Sequence, residues 1–123
     1  KAHCELEKII YDRLEFLEDG KIAFAYLNLE DYENTHAEMG DDEGLVEMLR
    51  DIEDVEVAVL LKEKEGANGY KASLRSHEVI NVSDICMLLG GGGHRGAAGC
   101  FINGTLDQAK TKIINAVKQG LKK

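Results

Sequence analysis

His94 and Arg95 follow four consecutive glycines, Gly90 to Gly93, and the stretch through Gly99 reads GGGGHRGAAG. These are the residues of the chain best suited to hold an anion. Each glycine gives up backbone entropy worth roughly 0.5–1 kcal/mol relative to alanine in regular structure, so four in a row need a steric reason. Close approach of the main chain to a ligand is such a reason, because N–H groups with no Cβ in the way can converge on an anion. Successive N–H groups of the run could form such an anion nest, with His94 and Arg95 placing donors, and at least one positive charge, at its end. The implied ligand is a phosphate. The alternative is a flexible linker, but linkers usually carry serine, and small apolar residues, Ala97 and Ala98, follow here.

Two familiar phosphate motifs do not account for the stretch. Gly91, Gly93 and Gly96 match the dinucleotide fingerprint in spacing, yet that fingerprint follows a strand and opens a helix. Here the order is inverted, with a helical pattern before the glycines (Val82 to Leu89) and a strand pattern after them (Cys100-Phe101-Ile102). No lysine followed by serine or threonine closes the loop, so a Walker-type site fails as well. Cys86, His94 and Cys100 could suggest a metal but lack the ligand spacing of known sites. His36 with the carboxylates of Glu30 to Glu43 could bind one too, although a charge run is usually solvated loop.

A second polar set lies upstream, in the SLRS run from Ser73 to Ser76. The period of two in a strand puts Lys71, Ser73 and Arg75 on one face and Ala72, Leu74 and Ser76 on the other. An arginine fork suits bidentate phosphate recognition, and a serine hydroxyl adds a neutral donor.

SLRS together with GGGGHRGAAG resembles the DHH-associated C-terminal domain of the DHH phosphoesterases, close to their nanoRNase and phosphoadenosine-phosphate phosphatase branch. The likeness runs from the strand near Ile22 to the last helix. It implies that Ser73, Arg75, Ser76, Gly91, Gly92, Gly93 and His94 bind substrate, a short single-stranded oligonucleotide or a nucleotide phosphate. In that family an N-terminal domain, named for an Asp-His-His triplet, binds manganese and performs the hydrolysis. No such triplet occurs in this sequence. The resemblance therefore implies a substrate-binding half, inactive alone, with no cofactor of its own and an N-terminal DHH domain as partner in the same chain. Related domains also resemble the C-terminal part of alanyl-tRNA synthetases, though the histidine after the glycines fits the phosphoesterases better. The other functional class open to the sequence is a non-catalytic module binding a nucleotide or cyclic dinucleotide.

The 123 residues carry a net charge of −8, which seems wrong for a nucleic-acid partner. The average hides an asymmetry. Residues 1–66 hold 7 Lys/Arg against 20 Asp/Glu, a balance of −13, whereas residues 67–123 hold 8 against 3, a balance of +5. The glycine stretch lies in the basic half, where a local positive field can steer a small anion. Long duplex DNA would need an extended basic surface, so short anionic ligands fit better. No apolar run approaches the ~20 residues of a membrane span. Three cysteines without close pairs suit reduced thiols in a cytoplasmic protein.

The elements that position these residues follow from periodicity. Leu6, Ile9, Ile10, Leu14 and Leu17 predict a first helix, with Gly20 as its left-handed cap. Residues 1–20 are then expected to be a connector from a missing catalytic domain, and residues 21–123 the substrate-binding domain. Lys21 to Leu29 predicts a buried strand, and Glu30 to Glu43 an acidic connection. Asp41 or Asp42 would cap a helix striped by Leu45, Met48, Leu49 and Ile52. Val55 to Leu61 and Tyr70 to Ser76 predict a hairpin, and Ser83 would cap a short helix. Thr105 with Gln108 gives a capping box opening the last helix. The order predicts a single α/β domain with a mixed sheet of about four to five strands flanked by helices. An interface for a homodimer would use the same apolar residues as a core, so a dimer stays possible.

Overall fold

The computed structural model describes residues 1–38 and 40–122. The chain begins with a helix, α1 (Ala2–Arg13), and a short strand, β1 (Glu15–Leu17), followed by β2 (Ile22–Leu27). Two helices come next, α2 (Leu29–Thr35) and α3 (Leu45–Arg50), then the hairpin of β3 (Val57–Lys64) and β4 (Gly69–Ser76). The rest is α4 (Val82–Met87), β5 (Gly92–His94), β6 (Ala97–Asn103) and α5 (Leu106–Leu121). One open sheet runs β1-β2-β3-β4-β6-β5, with β2 and β3 parallel and the other neighbours antiparallel. The α/β class and mixed sheet hold, but there are six strands rather than four or five.

Each discrepancy has a local cause. The first helix stops at Arg13 rather than near Gly20, and residues 15–17 extend to pair with β2. Phe16 and Leu17 continue an apolar pattern in which helix and strand cannot be told apart over so few residues. Gly20, at φ +85°, serves the turn between β1 and β2. Part of the acidic connection is α2, opened by a capping box in which Asn28 and Asp31 satisfy each other's backbone N–H groups. Neither Asp41 nor Asp42 caps α3, whose N-cap is Gly44. Asp41 accepts from the Glu38 N–H, and Asp42 from the Tyr32 hydroxyl. Asn81, not Ser83, caps α4, and Thr105 with Gln108 forms the expected box on α5.

The sheet is buried unequally on its two faces. On one face Ile22, Phe24, Val57, Val59, Leu61, Ala72, Leu74, Ala98, Cys100 and Ile102 pack under Ile85 of α4 and Ile113 and Val117 of α5. On the other, Ala23, Ala25, Leu27, Ala58 and Leu60 pack under Leu6 and Ile10 of α1 and Leu45 and Leu49 of α3. Covered on both faces, β3 opens with a continuous apolar run, Val57 to Leu61, as a central strand does. Each valine and leucine of that run, fully buried, contributes about 1.5–3 kcal/mol. α1 and α3 lie over β2 and β3, with α3 reaching β4, while β5 and β6 meet chiefly α4 and α5 on the opposite side. Among the described residues, the β6 and β5 end of the face that α1 and α3 cover is therefore left without either of them over it. No helix among the described residues is long and apolar enough to cross a membrane.

Candidate functional site

That end of the sheet face is where the polar residues converge. In β4 the alternation holds. Tyr70, Ala72, Leu74 and Ser76 are buried, while Lys71 is exposed and Ser73 and Arg75 are half-buried. The register aligns Arg75 with Ala97 of β6, and Ala97 with His94 of β5. Directly opposed residues in antiparallel strands face the same side, so Arg75 and His94 flank Ala97 in one row. Two strand spacings separate them, about 10 Å. The next row is Ser73, Gly99 and Gly92. The row beyond holds Lys71 and Phe101. The result is a shelf with a floor of alanine and glycine, bounded by Arg75, His94, Ser73 and Lys71.

The glycines have a reason in the chain's own packing. A Cβ on Gly91 would stand 2.2 Å from the Gly99 carbonyl oxygen, and one on Gly93, at φ +153°, would stand 2.7 Å from that of Ala97. They let β5 close against β6 in the short hairpin that carries His94. The Gly91 N–H donates to the Cys86 carbonyl at 2.9 Å, so it is not a free donor for an anion. The expected loop of converging N–H groups is instead an edge strand, and an edge strand leaves one row of backbone groups unpaired. Ser83 braces that strand, its hydroxyl donating to the Gly93 carbonyl at 3.2 Å. At Gly99 the absent side chain is filled by Lys71, whose Cε would be 2.9 Å from a Cβ there.

Arg75 is held rather than free. Its Nε donates to Glu47 Oε2 on α3 at 2.9 Å, and Nη1 donates to the Leu74 carbonyl at 2.9 Å. Nη2 takes part in neither bond. Partial burial, the largest single effect, works to raise the Glu47 carboxyl, but the bond from Arg75, a bond from its own backbone N–H and the charges of Arg75 and Arg50 together hold the group below the usual carboxylate range. Ser73 and Arg75 also line a cleft of about 420 Å³ beside the shelf, shared with Asp42, Glu43, Gly44, Val46, Glu47, Leu60 and Lys62.

Ser73, Arg75, Gly92 and His94 are thus brought together, and Ser76 is not. Its hydroxyl lies on the buried face, donating to the Ile80 carbonyl at 2.6 Å and accepting from the Glu78 N–H at 3.1 Å, where it shapes the loop after β4. Arg95 points away as well, its Nε bonded to the Glu78 carbonyl at 2.6 Å. Cys86 and Cys100 are buried on the opposite face from His94. The bond to Cys100, with burial, pushes the Cys86 thiol up. Among the described residues no three His, Cys, Asp or Glu side chains converge as metal ligands. Two members of the site, Lys71 and Glu47, were not among the binding residues expected from the sequence. Lys71 carried a signal, since it shares the period of Ser73 and Arg75. Glu47 carried none, being brought to Arg75 by tertiary packing alone.

Comparison with known proteins places these features in context. The model of the DHHA1 domain family matches residues 19–123. A bifunctional oligoribonuclease and PAP phosphatase, NrnA of Thermus thermophilus, is 38% identical over 82 residues, which are 66% of this chain and 25% of that protein. An exopolyphosphatase-related protein from Bacteroides fragilis superposes with a TM-score of 0.89 at 24% identity, covering 97% of this chain and 35% of its own. The pGpG-specific phosphodiesterase PggH from Vibrio cholerae superposes with a TM-score of 0.70 at 12% identity, covering 98% and 39%. This chain therefore spans between a quarter and two fifths of the length of these relatives.

Proposed function

Because the chain belongs to the DHHA1 domain family, we propose that it is the substrate-holding part of a cytoplasmic DHH-type phosphoesterase acting on short single-stranded oligonucleotides or nucleotide phosphates. The observation that carries this reading is the row Arg75–Ala97–His94, in which two residues with donor side chains stand about 10 Å apart, backbone to backbone, on either side of an alanine. A phosphate seated there would take Nη2 of Arg75 from one side and the imidazole from the other. Ser73 would donate its hydroxyl, Lys71 would add charge, and the edge of β5 would offer backbone N–H. A nucleoside attached to that phosphate has the neighbouring cleft to enter.

In this proposal the reaction belongs to an N-terminal DHH domain, whose manganese ions would activate water for attack on phosphorus. Residues of this chain bind and orient. α1 would lead from that domain, although its Leu6 and Ile10 are fully buried here and make it part of this domain's core as well.

The test is a titration of the 123-residue chain with a dinucleoside monophosphate, which has one internal phosphodiester and no terminal phosphate, followed by amide NMR. Shifts are expected at Ser73, Arg75, Gly92 to His94 and Ala97 to Gly99, with affinity falling at least tenfold in Arg75→Ala. Shifts confined to other surfaces, or an Arg75→Ala variant that binds equally well, would remove the assignment.

A further inference from the structure

The cleft beside Arg75 has the opposite electrostatic character from the shelf. Of its charged residues Asp42, Glu43 and Glu47 are acidic, and Lys62 and Arg75 are basic. Both cations are already matched. Lys62 Nζ lies 3.6 Å from Asp42 Oδ2, and Arg75 Nε lies 2.9 Å from Glu47 Oε2. Glu43 is left over, so the walls next to the proposed phosphate position are net negative.

Glu47 cannot readily swing away. Its neighbours Leu45, Val46 and Leu49 are all buried, which fixes α3 against the sheet, and its carboxylate anchors one edge of the Arg75 guanidinium while the Leu74 carbonyl anchors another. A phosphate on Nη2 of Arg75 would be close to the Glu47 carboxylate. A second phosphate bonded directly to the first and extending into the cleft would meet Glu47 and Glu43 with no unmatched cation to receive it. Like charges at such separations in a partly desolvated cleft are strongly repulsive. A sugar and base would bring no charge there, and 420 Å³ is within the range of small-molecule sites.

We infer that Glu47, through its ion pair with Arg75 at the mouth of this cleft, makes the site selective for a phosphate carried by a neutral group such as a nucleoside, and against a chain of phosphates. The inference rests on the reading of Arg75 as a phosphate ligand. It sets the substrate class of that site. It also distinguishes two roles of one carboxylate: aiming the guanidinium, which an amide oxygen can also do, and repelling a second anion, which it cannot.

The experiment compares the affinities of the chain for a dinucleoside monophosphate and for inorganic tripolyphosphate at fixed ionic strength. Glu47→Gln keeps an acceptor for Arg75 Nε and should raise the tripolyphosphate-to-dinucleotide affinity ratio at least fivefold. Asp107→Asn, on α5 across the sheet, removes the same charge and should leave the ratio unchanged. Glu43→Gln, on an exposed loop, should raise it by a smaller factor and keeps the test open if the Glu47 variant folds poorly. An unchanged ratio in Glu47→Gln and Glu43→Gln, with binding still dependent on Arg75, overturns this inference and leaves the phosphate reading standing. Equal gains in Asp107→Asn also overturn it, since the effect would be net charge alone. Binding of neither probe, or binding indifferent to Arg75, overturns the phosphate reading and this inference with it.

Discussion

Arg13 and Arg75 are each paired with a carboxylate from a helix on the same side of the sheet, and the two pairs are built for different ends. Arg13 commits both terminal nitrogens. Nη1 and Nη2 donate to the two oxygens of Asp31 at 2.6 and 2.9 Å, Nη1 also reaches the Tyr26 carbonyl at 3.1 Å, and the guanidinium lies 4.4 Å from the centre of the Tyr26 ring. Asp31 is 7% exposed and accepts a further bond from the Asn28 N–H at 2.6 Å. Arg75 makes one bond to its carboxylate and one to a carbonyl, and keeps Nη2 out of both. Glu47 is 37% exposed at its side chain. A closed, bidentate pair with a buried carboxylate locks α1 and α2 to the sheet, whereas an open pair at a cleft mouth, its carboxylate exposed, holds a cation oriented with donors to spare. The contrast sets the same two functional groups to structure at one position and, under the function proposed above, to recognition at another.

The comparison breaks most sharply in stability. Asp31→Asn leaves Arg13 without its charge partner and should cost about 3 kcal/mol. Glu47→Gln should cost under about 1 kcal/mol, because its pair is half-exposed and screened. Urea unfolding of both variants measures the difference, and equal costs would erase the distinction between the two pairs.

Acid sharpens it further. Burial works to raise the Asp31 carboxyl, but the bonds from Arg13 and Asn28 hold it below the ordinary range. A carboxylate depressed in the folded state contributes stability fully present above its unfolded value of ~3.9 and lost as pH falls through the folded value. The stability gap between the native protein and Asp31→Asn should therefore narrow below about pH 4. A gap that stays constant through that acid limb would mean the bonds to Asp31 do not depend on its charge.

Ligand affinity reverses the ranking of the two arginines. Arg75→Lys keeps the charge but cannot reproduce a fork held by Glu47 and presented by Nη2, and dinucleotide affinity should fall about tenfold. Asp31→Asn should leave that affinity within about twofold, provided the measurement is made where the variant is folded. Between those two lies the effect expected at His94, exposed at the end of β5. His94→Gln retains a hydrogen-bond donor and should cost about threefold, or ~0.7 kcal/mol. Calorimetric titration of the three variants gives the order, and a larger loss at His94 than at Arg75 would move the centre of the site to the β5 edge.

Much of the domain was legible because local patterns determine it. Alternation in Tyr70 to Ser76 set the faces of β4, the spacing of Leu106, Ala109, Ile113, Val117 and Leu121 set the inner stripe of α5, and Thr105 with Gln108 marked its start. These features depend on residues within a turn or a strand of one another, and the resemblance of SLRS and GGGGHRGAAG to a known family needs only the order of residues. Where the readings failed, the deciding contacts were distant in sequence or the segment was short. β1 and β5 have three residues each, and such strands exist only because a neighbour offers an edge to pair with. The glycine run pointed to close approach, but only the fold shows that β6 of the same chain is what approaches Gly91 and Gly93. The sequence by itself determined which of Ser73, Arg75 and Ser76 share a face. Tertiary structure alone decided that His94 falls in the row of Arg75 through β6, and that Glu47, 28 positions away, grips that arginine. Register across a sheet and the docking of α3 are set by the summed burial of many apolar side chains, and no short stretch of sequence contains that sum.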